Sequence, residues 1–511
     1  MSRHAPVQLR ELLVSSGIAC DPAAAAGIVV SGICDDSRAV QRGDLYLALR
    51  GTQQDGRTYI AQAIERGAAA VLAESDDSVA IDSTVASVPV IAVRHLRAQA
   101  GVIAAHFFGE PSQRMSVLAV TGTNGKTTTS WLMAQALELL GTRTAVLGTL
   151  GAGPARADAA REPLRNTTPG AVELQGLLAG FDAAGFAAVA MEASSIGIEQ
   201  HRLAGTRIRI AMFTNLSRDH LDYHGTMDNY AAAKAQLFSW PGLGGAVING
   251  DDSYALRWLA EGRVQAARVL TYGMAGRGHD IELLGMTASG TGSRLTLRVE
   301  GREMTADTRL IGGFNAGNIM AVIGALRILG YELAQIAGVL SVLEAPAGRM
   351  EALGGRNAPL CVVDYAHTPD ALEKVLSVLR ERTDGMLWCV FGCGGDRDRG
   401  KRAQMGAVVA RLADMAVVTS DNPRSESPQT IADDILAGMP GVPASRLRVL
   451  LDRAEAIQRV VQQAGHKDTV LVAGKGHEDY QEIAGTRLPF SDRDVVRAAL
   501  AARAVAAGGA A

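Results

Sequence analysis

The residues best suited to chemistry lie in the segment TGTNGKTT (121–128), between an apolar run and a helical stretch. Its glycines let backbone N–H groups approach an anion closely, because no Cβ stands in the way. Lys126 can place an ammonium on terminal phosphates, and Thr127 or Thr128 can offer a hydroxyl to Mg²⁺. A strand, a glycine-rich turn and a helix start together cradle phosphate. Val120 replaces the first glycine of the common GxxxxGK pattern, so the segment predicts a nucleotide-binding loop of variant form.

Further polar groups follow predicted strands of the same region. Glu192 ends the apolar run VAMEASS, where a carboxylate facing the loop would be a natural Mg²⁺ ligand. The segment SRDHLDYHG (217–225) holds two acids and two histidines, so a zinc site is an alternative to contacts with Mg²⁺ or phosphate. Lys234 lies among small and apolar residues of a predicted helix. On spacing alone we expect it to be a surface lysine whose stem packs on apolar neighbours.

Four polar clusters in the last third of the chain each end a predicted strand. Ligands of open α/β sheets bind at the carboxyl ends of the strands, so the clusters predict a second binding site at one sheet edge. The clusters are DYAH (364–367), GGDR (394–397), DNPR (421–424) and GKGHE (474–478).

The elements that position these groups alternate between strand and helix, which is typical of parallel sheets covered by helices. A chain of 511 residues is too long for a single core. We therefore expect an α/β protein of three domains, with a strand-rich insert near residues 280–310. The domains are a small N-terminal α/β domain at 1–110, a central parallel-sheet domain with the phosphate loop at 111–345, and a doubly wound, Rossmann-like domain at 346–511.

Composition excludes several classes of protein. The net charge of −3, without a basic block, argues against a nucleic-acid partner. No apolar run is long enough to span a bilayer and no signal-like segment begins the chain, so we expect a cytoplasmic protein without membrane insertion. The five cysteines are scattered and odd in number, which argues against a disulfide framework. Cys389 and Cys393 are predicted to be small core residues.

A longer set of motifs gives the chain a family resemblance. In order they are TGTNGKTT, MEASS, TNLSRDHLDYHG with Lys234 after it, FNAGN, GRME, DYAHTPDALEK, FGCGGDRDRGKR, DNPR and GKGHEDY. In this order they resemble the Mur ligases of peptidoglycan synthesis over nearly the whole chain, and most closely those that add 2,6-diaminopimelate. The resemblance implies an N-terminal UDP-binding domain, a central ATP-binding domain and a C-terminal amino-acid-binding domain.

The resemblance also implies the reaction and its partners. ATP would convert the γ-carboxylate of D-glutamate in UDP-MurNAc-L-Ala-D-Glu to an acyl phosphate, which the amine of meso-diaminopimelate would attack. The expected cofactor is Mg²⁺, with two ions, and the expected state is a monomer whose domains close around the three small-molecule substrates. Two alternatives stay open at this point. One is another ligase, adding lysine or resembling folylpolyglutamate synthetases, although DNPR and the N-terminal domain argue against it. The other is an ATPase that acts as a switch or binding module.

Site residues carried over from the resemblance fall into four groups. Those expected to bind ATP are Gly122, Thr123, Asn124, Gly125, Lys126, Thr127, Thr128, Asn315, Asn318, Arg349 and Asp364. Those for the UDP-muramoyl dipeptide are Asp35, Ser37, Gln53, Gln54, Asp55, Asn166, Thr167, Thr168, Ser194, Gln200 and Arg202. Those for diaminopimelate are Arg397, Asp421, Asn422, Pro423, Arg424, Gly474 and Glu478. Those for the metal are Thr127, Glu192, His220 and Lys234, and the catalytic set is Lys126, Lys234, His220 and Glu192.

The family resemblance changes the interpretation of Lys234. It matches the lysine that the family carries as an N-carbamate. An ammonium would repel Mg²⁺, whereas a carbamate is a carboxylate on a long arm that can ligate the ion. The resemblance therefore implies a modified lysine in the site, against the surface position that spacing predicts.

Overall fold

The structure is a computed structural model. It describes residues 5–18, 25–51, 54–75, 88–156, 159–289, 292–355 and 357–508. The chain forms two compact units, of which the first is Met1–Gly273 with Ala321–Tyr331 and the second is Met274–Met320 with Glu332–Ala511. Within the described residues, no helix has the length and apolar character needed to cross a membrane.

Elements up to residue 274 alternate as the sequence predicts. The strands are β1 (Val7–Gln8), β2 (Val29–Val30), β3 (Gly32–Cys34), β4 (Asp44–Ala48), β5 (Ala70–Ser75), β6 (Val90–Arg94), β7 (Ser116–Thr121), β8 (Thr144–Gly148), β9 (Gly151–Pro154), β10 (Ala188–Glu192), β11 (Ile208–Phe213), β12 (Gly245–Asn249) and β13 (Arg268–Met274). The helices are α1 (Leu9–Ser15), α2 (Ile60–Glu65), α3 (Leu96–Phe107), α4 (Lys126–Leu139), α5 (Ala171–Ala183), α6 (Ser195–Glu199), α7 (Leu221–His224), α8 (Met227–Ala235) and α9 (Ser253–Ala260).

Elements after residue 274 begin with three strands. The strands are β14 (Ile281–Ser289), β15 (Gly292–Val299), β16 (Arg302–Thr308), β17 (Glu351–Gly354), β18 (Leu360–Asp364), β19 (Leu387–Phe391), β20 (Met415–Val418), β21 (Leu447–Val449), β22 (Thr469–Ala473), β23 (Tyr480–Ile483) and β24 (Thr486–Pro489). The helices are α10 (Gly313–Ile328), α11 (Leu333–Leu340), α12 (Pro369–Arg380), α13 (Gly400–Leu412), α14 (Pro428–Leu436), α15 (Arg453–Gln463) and α16 (Asp492–Gly508).

Besides the antiparallel pair β1-β2, the described part of the first unit has a small parallel sheet and a larger, mainly parallel one. The smaller has the order β3-β4-β5-β6, with all neighbours parallel. In the larger, β7 lies between β10 and β11 and is parallel to both. Residues 117–120 of β7 are buried, which explains their unbroken apolar character, because helices cover both faces of such a sheet. The loop that follows β7 therefore begins at the carboxyl edge of the sheet.

The second unit contains a strand-rich segment and a third sheet. Strands β14, β15 and β16 form an antiparallel meander, as predicted for residues 280–310. The third sheet has the order β17-β18-β22-β19-β20-β21, and only β17 among these is antiparallel to its neighbour. The predicted α/β class, with a small N-terminal domain, a central phosphate-loop domain and a C-terminal Rossmann-like domain, is confirmed. The boundaries at 110 and 345 stay predictions.

Two local predictions need correction. The sequence TRTAVLGTL (142–150) predicts one strand, but the chain turns after Gly148 and returns as β9, antiparallel to β8. The sequence GIVVSGICDDSR (27–38) also predicts one strand, but it forms two short ones, because β2 pairs with β1 and β3 pairs with β4. Cys389 and Cys393 are buried at 0% and 3% exposure, which confirms them as core residues. Cys20 lies outside the described residues.

An ion pair inside the second unit gives a prediction about stability. The Arg453 and Asp492 side chains are both 0% exposed, and two hydrogen bonds of 2.7 and 2.8 Å join them. Breaking such a pair leaves a buried charge without compensation and costs about 3–5 kcal/mol. We expect Asp492→Asn to lower the free energy of unfolding by that amount, measured by urea unfolding. Asp494→Asn, 75% exposed in the same helical turn, should cost less than about 1 kcal/mol; equal losses would contradict the prediction.

Candidate active site

The loop after β7 is shaped by the residues that follow β11. Gly122 has φ +148°, and a Cβ there would lie 1.9 Å from Thr214 Oγ1. The Thr123 N–H donates to the Asn215 carbonyl at 2.8 Å. Gly125, at φ 86°, begins α4. The two glycines are therefore required by a close approach and by a left-handed backbone, and the loop leaves its helix N-terminus open to an anion.

Two lysine side chains converge on one carbonyl oxygen of this loop. Lys126 Nζ donates to the carbonyls of Gly122 and Thr123, each at 2.9 Å. Lys234 Nζ donates to the same Gly122 carbonyl at 2.9 Å and lies 4.5 Å from the centre of the Tyr230 ring. Burial, with the Lys126 charge as the second cause, lowers the pKa of Lys234 well below its ordinary value.

The surface position that spacing predicted for Lys234 is wrong. The residue is 1% exposed, because α8 directs this side chain inward, to the loop after β7, rather than to water. Its amine has no carboxylate partner within hydrogen-bonding distance in the part of the chain that the structure describes.

Glu192 supplies a buried carboxylate beside the start of α4. Its Oε2 accepts from Thr127 Oγ1 at 3.0 Å, and its Oε1 accepts from the Thr149 N–H at 2.7 Å. A Cβ on Gly148 would lie 2.3 Å from Glu192 Oε1, so any larger residue at position 148 would clash with the carboxylate. A hydroxyl and a carboxylate oxygen this close suit Mg²⁺, which takes its other ligands from phosphate and water. Thr127 and Glu192 thus fit the predicted magnesium shell.

The two histidines of the loop at 217–225 have separate partners. His224 is buried, with Nε2 2.9 Å from Ser195 Oγ and Nδ1 3.1 Å from Glu199 Oε2. Burial lowers the pKa of His224. His220 is exposed, and its Nε2 lies 3.6 Å from Asp219 Oδ2. No group of three His, Cys, Asp or Glu side chains among the described residues is placed to hold a metal, so the zinc alternative has no support. The role of His220 stays a prediction.

Residues predicted for the muramoyl dipeptide form a hydrogen-bonded set next to Glu192. Thr168 Oγ1 donates to the Glu192 carbonyl and accepts from the Ser194 N–H, both at 2.9 Å. Arg202 donates to the Thr168 carbonyl at 2.8 Å and to Gln200 Oε1 at 2.8 Å. These contacts fix the loop at 166–168 against the strand that carries Glu192.

The N-terminal candidates are held by their own neighbours. Ser37 is buried and its Oγ donates to Gln62 Oε1 at 2.8 Å. Asp55 pairs with Arg57 at 2.7 Å and caps the turn that follows it. Among the remaining residues predicted for this ligand, Asp35, Gln54 and Asn166 are exposed, Thr167 is partly exposed, and Gln53 lies outside the described residues.

In the second unit, Asp364 organises the end of β18. It is 8% exposed and accepts from the N–H groups of Met350 (2.7 Å) and Ala366 (2.8 Å). Burial raises the pKa of Asp364, and the Arg349 charge opposes that rise. The Arg349 guanidinium lies 4.7 Å from the centre of the Tyr365 ring. The acid thus positions the backbone that carries Arg349.

Two further nucleotide candidates lie on α10. Asn315 Nδ2 donates to the Ile311 carbonyl at 2.8 Å, and Asn318 Nδ2 donates to Asn315 Oδ1 at 3.0 Å. Both amides are buried, which fixes their orientation. Their role in ATP binding stays a prediction.

A compact polar cluster joins the DNPR and GKGHE segments. Asn422 Nδ2 donates to Glu478 Oε2 at 2.8 Å. Lys475 Nζ donates to Asn422 Oδ1 at 3.0 Å and to Glu478 Oε2 at 2.9 Å. A Cβ on Gly474 would lie 2.5 Å from Asp421 Oδ2, so only glycine lets the two segments approach this closely. Both contacts of Glu478 are made by Oε2, so that oxygen of the carboxylate is fixed.

Arg424 lies beside this cluster with its backbone fixed. Its φ is 51°, and its N–H donates to the Glu482 carbonyl at 3.0 Å. The guanidinium donates to the Gly395 carbonyl at 2.6 Å and lies 3.8 Å from Glu482 Oε2. The Arg424 side chain is 21% exposed, whereas Arg397 is exposed and Pro423 is buried. The segments predicted for the amino acid are therefore brought together, and the roles of Arg424 and Arg397 stay predictions.

Comparison with known proteins decides the family. The catalytic domain of the Mur ligase family matches residues 29–108, the Mur ligase middle domain matches 120–326, and the glutamate ligase domain of Mur ligases matches 348–476. A protein of Ectopseudomonas mendocina (strain ymp) is 47% identical over 497 residues, 97% of this chain and 99% of its own length. The chain belongs to the Mur ligase family. As a member of that family it is an ATP-dependent ligase.

Two further comparisons bear on the branch of the Mur ligases. The Ectopseudomonas protein is named UDP-N-acetylmuramoyl-L-alanyl-D-glutamate–2,6-diaminopimelate ligase, as is a protein of Pseudomonas aeruginosa (strain PAO1) that is 47% identical over 481 residues, 94% of this chain and 97% of its own. A solved structure of a ligase with that name superposes with a TM-score of 0.75 at 37% identity, covering 98% of this chain and 99% of the other.

Several contacts of this Mur ligase were not predicted from sequence. Thr149 and Asn215 fall inside strands predicted from sequence, whereas in the structure they come after β8 and β11, the neighbours of β10 and β7, where their backbones contact Glu192 and the phosphate loop. Lys475 lies within a motif that was recognised, but its contact with Asn422 joins residues 53 positions apart. Only the packing of the sheet brings those two segments together.

Proposed function

We propose that this Mur ligase joins meso-2,6-diaminopimelate to the γ-carboxylate of D-glutamate in UDP-MurNAc-L-Ala-D-Glu, using ATP, during synthesis of the peptidoglycan precursor. The observation that carries the proposal is the near full-length similarity, at 47% identity, to two ligases named for this dipeptide and this diacid. The local geometry agrees with it. The first unit has a phosphate loop with two lysines, and the second has a cluster with an arginine and a carboxylate that match a ligand carrying both charges.

The chemistry proposed for this chain has two steps. A γ-carboxylate oxygen attacks the terminal phosphorus of ATP, ADP leaves, and an acyl phosphate forms. The diaminopimelate amine then attacks the acyl carbon, inorganic phosphate leaves the tetrahedral intermediate, the C–N bond remains and the nitrogen loses a proton. We propose that the Lys126 ammonium offsets charge on the transferring phosphoryl group and that the helix N-terminus of α4 orients the phosphates, which the position of Lys126 Nζ beside the loop carbonyls supports.

Magnesium is the cofactor that fits this donor set. When bound, it would neutralise phosphate charge and hold the phosphates in line with the carboxylate. Thr127 and Glu192 would hold one ion through their oxygens, and we propose His220 and a modified Lys234 as partners of a second.

We propose that Lys234 is carbamoylated. CO₂ reacts with a neutral amine, forming an N–C bond and releasing a proton, and the lowered pKa of Lys234 favours that neutral form. The product replaces a cation at the Gly122 carbonyl with an anion that can accept hydrogen bonds or bind Mg²⁺. The crowding of two ammonium groups at one carbonyl, which costs energy, is removed at the same time.

This modification gives a testable prediction. The protein equilibrated with ¹³CO₂ should show one carbamate resonance in its ¹³C NMR spectrum, and Lys234→Ala should lack it. The variant should be inactive and partly restored by added short-chain carboxylic acids, which supply the missing anion. Lys374→Ala, at an exposed lysine paired with Asp370, is the matched control and should keep both the resonance and the activity. A free ammonium in active, Mg²⁺-loaded protein would contradict the proposal.

The remaining assignments follow the same proposal. The N-terminal domain would hold the UDP end near Ser37, and the set around Thr168 and Arg202 would hold the muramoyl peptide. The boundaries of the three domains at 110 and 345 are part of it. We propose a monomer in the cytoplasm, since ATP and a UDP-linked precursor are both cytoplasmic nucleotides.

One assay tests the function against a switch-type ATPase. Phosphate release is followed with ATP, the UDP-muramoyl dipeptide and diaminopimelate, and each is then omitted in turn. A ligase should release phosphate at a sustained rate only when all three are present. Sustained release with ATP alone would overturn the ligase proposal in favour of the switch. Mass spectrometry of the product, which should gain one diaminopimelate residue, identifies the bond formed.

A further inference from the structure

A cavity of the first unit lies at the edge of the sheet opposite the phosphate loop. Its volume is about 470 Å³, within the range of small-molecule pockets. It is lined by residues at the amino ends of the strands, among them Ser116 of β7 and Gly244 before β12. The phosphate loop follows the carboxyl end of β7, and five residue steps of strand separate the two places by about 17 Å. The cavity is therefore distinct from the candidate active site.

The charge around this cavity is positive. Arg114, Arg207 and Arg209 line it, and none of its described lining residues is acidic. Arg114 pairs outward with Asp182 at 2.6 Å. Arg209 donates to Ser116 Oγ at 2.8 Å, a neutral partner. The Arg207 side chain has neither an ion pair nor a hydrogen bond with the described residues. Arg207 and Arg209 are exposed and have no counter-charge among the residues that the structure describes, although like charges placed together cost free energy.

A β-bulge places one of these arginines. Ile208 pairs with Val117 and Ile210 with Leu118, so Arg209 is an extra residue in β11 opposite one step of β7. Bulges re-aim side chains at the expense of regular pairing and are enriched next to functional sites. A Cβ on Gly244 would lie 3.0 Å from the Arg209 carbonyl, so a glycine leaves room for the bulged backbone. The arginine is directed to the cavity by a local irregularity of the strand.

Hydroxyl groups complete the donors. Ser112 is 2% exposed, and its Oγ accepts from the Arg207 N–H at 2.9 Å, which leaves its own O–H available to donate. Ser116 Oγ accepts from Arg209 and is likewise able to donate. Guanidinium forks and hydroxyls match the several oxygens of a phosphate group.

We infer that this cavity binds a phosphate-type anion with at least two negative charges, of the size of pyrophosphate. Such an anion compensates the guanidiniums of Arg207 and Arg209 and accepts from the hydroxyls of Ser112 and Ser116. Because it lies far from the phosphate loop, it binds without displacing a nucleotide held there.

Titration calorimetry of the full-length protein with pyrophosphate tests the inference. Pyrophosphate can also enter the phosphate loop, so the measurement is made on Lys126→Ala as well as on the parent protein. Saturable binding should persist in Lys126→Ala and weaken at least tenfold when Arg207→Ser and Arg209→Ser are added. Arg411→Ser, an exposed arginine paired with Glu373, is the charge-matched control and should bind as the parent does.

The outcomes are separable from those of the ligase proposal. The inference is overturned if Lys126→Ala shows no saturable pyrophosphate binding, or if Arg207→Ser and Arg209→Ser leave the affinity unchanged. Neither outcome bears on the ligase proposal. Equal affinity for citrate overturns the phosphate assignment. Melting curves show whether the variant with both arginines replaced is folded. If that variant is unfolded, Arg207→Gln alone provides the test, because the Arg207 side chain is exposed and has no ion pair or hydrogen bond with the described residues.

Discussion

Lys126→Ala should lower kcat/KM for ligation by at least roughly 10³-fold, because removal of a preorganised charge at the reacting group has effects of this size. The side chain lies folded over the loop, with Nζ 2.9 Å from two of its carbonyls. The loop TGTNGKTT holds no second lysine or arginine to replace it, and burial lowers the pKa of Lys234, which disfavours the ammonium form of that neighbour. The measurement is acyl-phosphate formation, followed by positional isotope exchange in ATP with the dipeptide present and diaminopimelate absent.

The same substitution has a second, smaller consequence. Removing the Lys126 charge should raise the pKa of Lys234, since that charge is one cause of its depression. Carbamate content should then fall, and NMR with ¹³CO₂ measures it separately from catalysis. Lys374→Ala is again the control with unchanged loop and site. Near-normal isotope exchange in Lys126→Ala would contradict the proposal that the phosphate loop activates the terminal phosphate of ATP.

A sequence predicts structure best where residues that are adjacent in the chain determine the local fold. The run from β7 through Gly125 to α4 is such a case, since apolar strand, glycine turn and helix start are contiguous. The polar ends of β18 and β22 are another, because strand ends are local and parallel strands share an edge. The sequence predicts these strands, the glycine turn and the helix, and the structure has them at the same positions.

Sequence predicts poorly where packing decides. Lys234 lies among small residues that suit either a surface or a buried face, and only the position of α8 against the loop buries it. The strand β9 has the sequence GAGP, which is typical of a turn, and is tolerated because it lies at a sheet edge. The pairs Arg453–Asp492 and Lys475–Asn422 join residues 39 and 53 positions apart. No pattern of spacing in the sequence predicts these contacts, because only the fold of the third sheet brings the residues together.

Selectivity for the amino acid should depend on Arg424. Diaminopimelate differs from lysine by a carboxylate beside its far amine, and a guanidinium can bind that carboxylate through two parallel hydrogen bonds. The loop that carries Arg424 is tied to β23 through the Glu482 carbonyl, so the fork is held in place before the ligand arrives. Glu478, fixed on one oxygen by Asn422 and Lys475, can accept the far ammonium with the other.

We therefore expect kcat/KM for meso-diaminopimelate to exceed that for L-lysine by roughly 10⁴-fold, because lysine lacks the carboxylate that the Arg424 guanidinium would bind, and Glu482 Oε2, at 3.8 Å, lies beyond hydrogen-bonding distance. Arg424→Ala should raise the KM for diaminopimelate far more than that for ATP, and Arg424→Lys should restore little, since an ammonium lacks the fork. Arg487→Ala is the matched control: it also faces Glu482, at 3.7 Å, but its side chain is 66% exposed. If Arg424 only fixes its loop through the Gly395 carbonyl, the substitution should lower the melting temperature and leave the ratio of the two amino acids unchanged. Equal kcat/KM values in the parent enzyme, or an unchanged diaminopimelate KM in a folded Arg424→Ala, would remove Arg424 from the selectivity role.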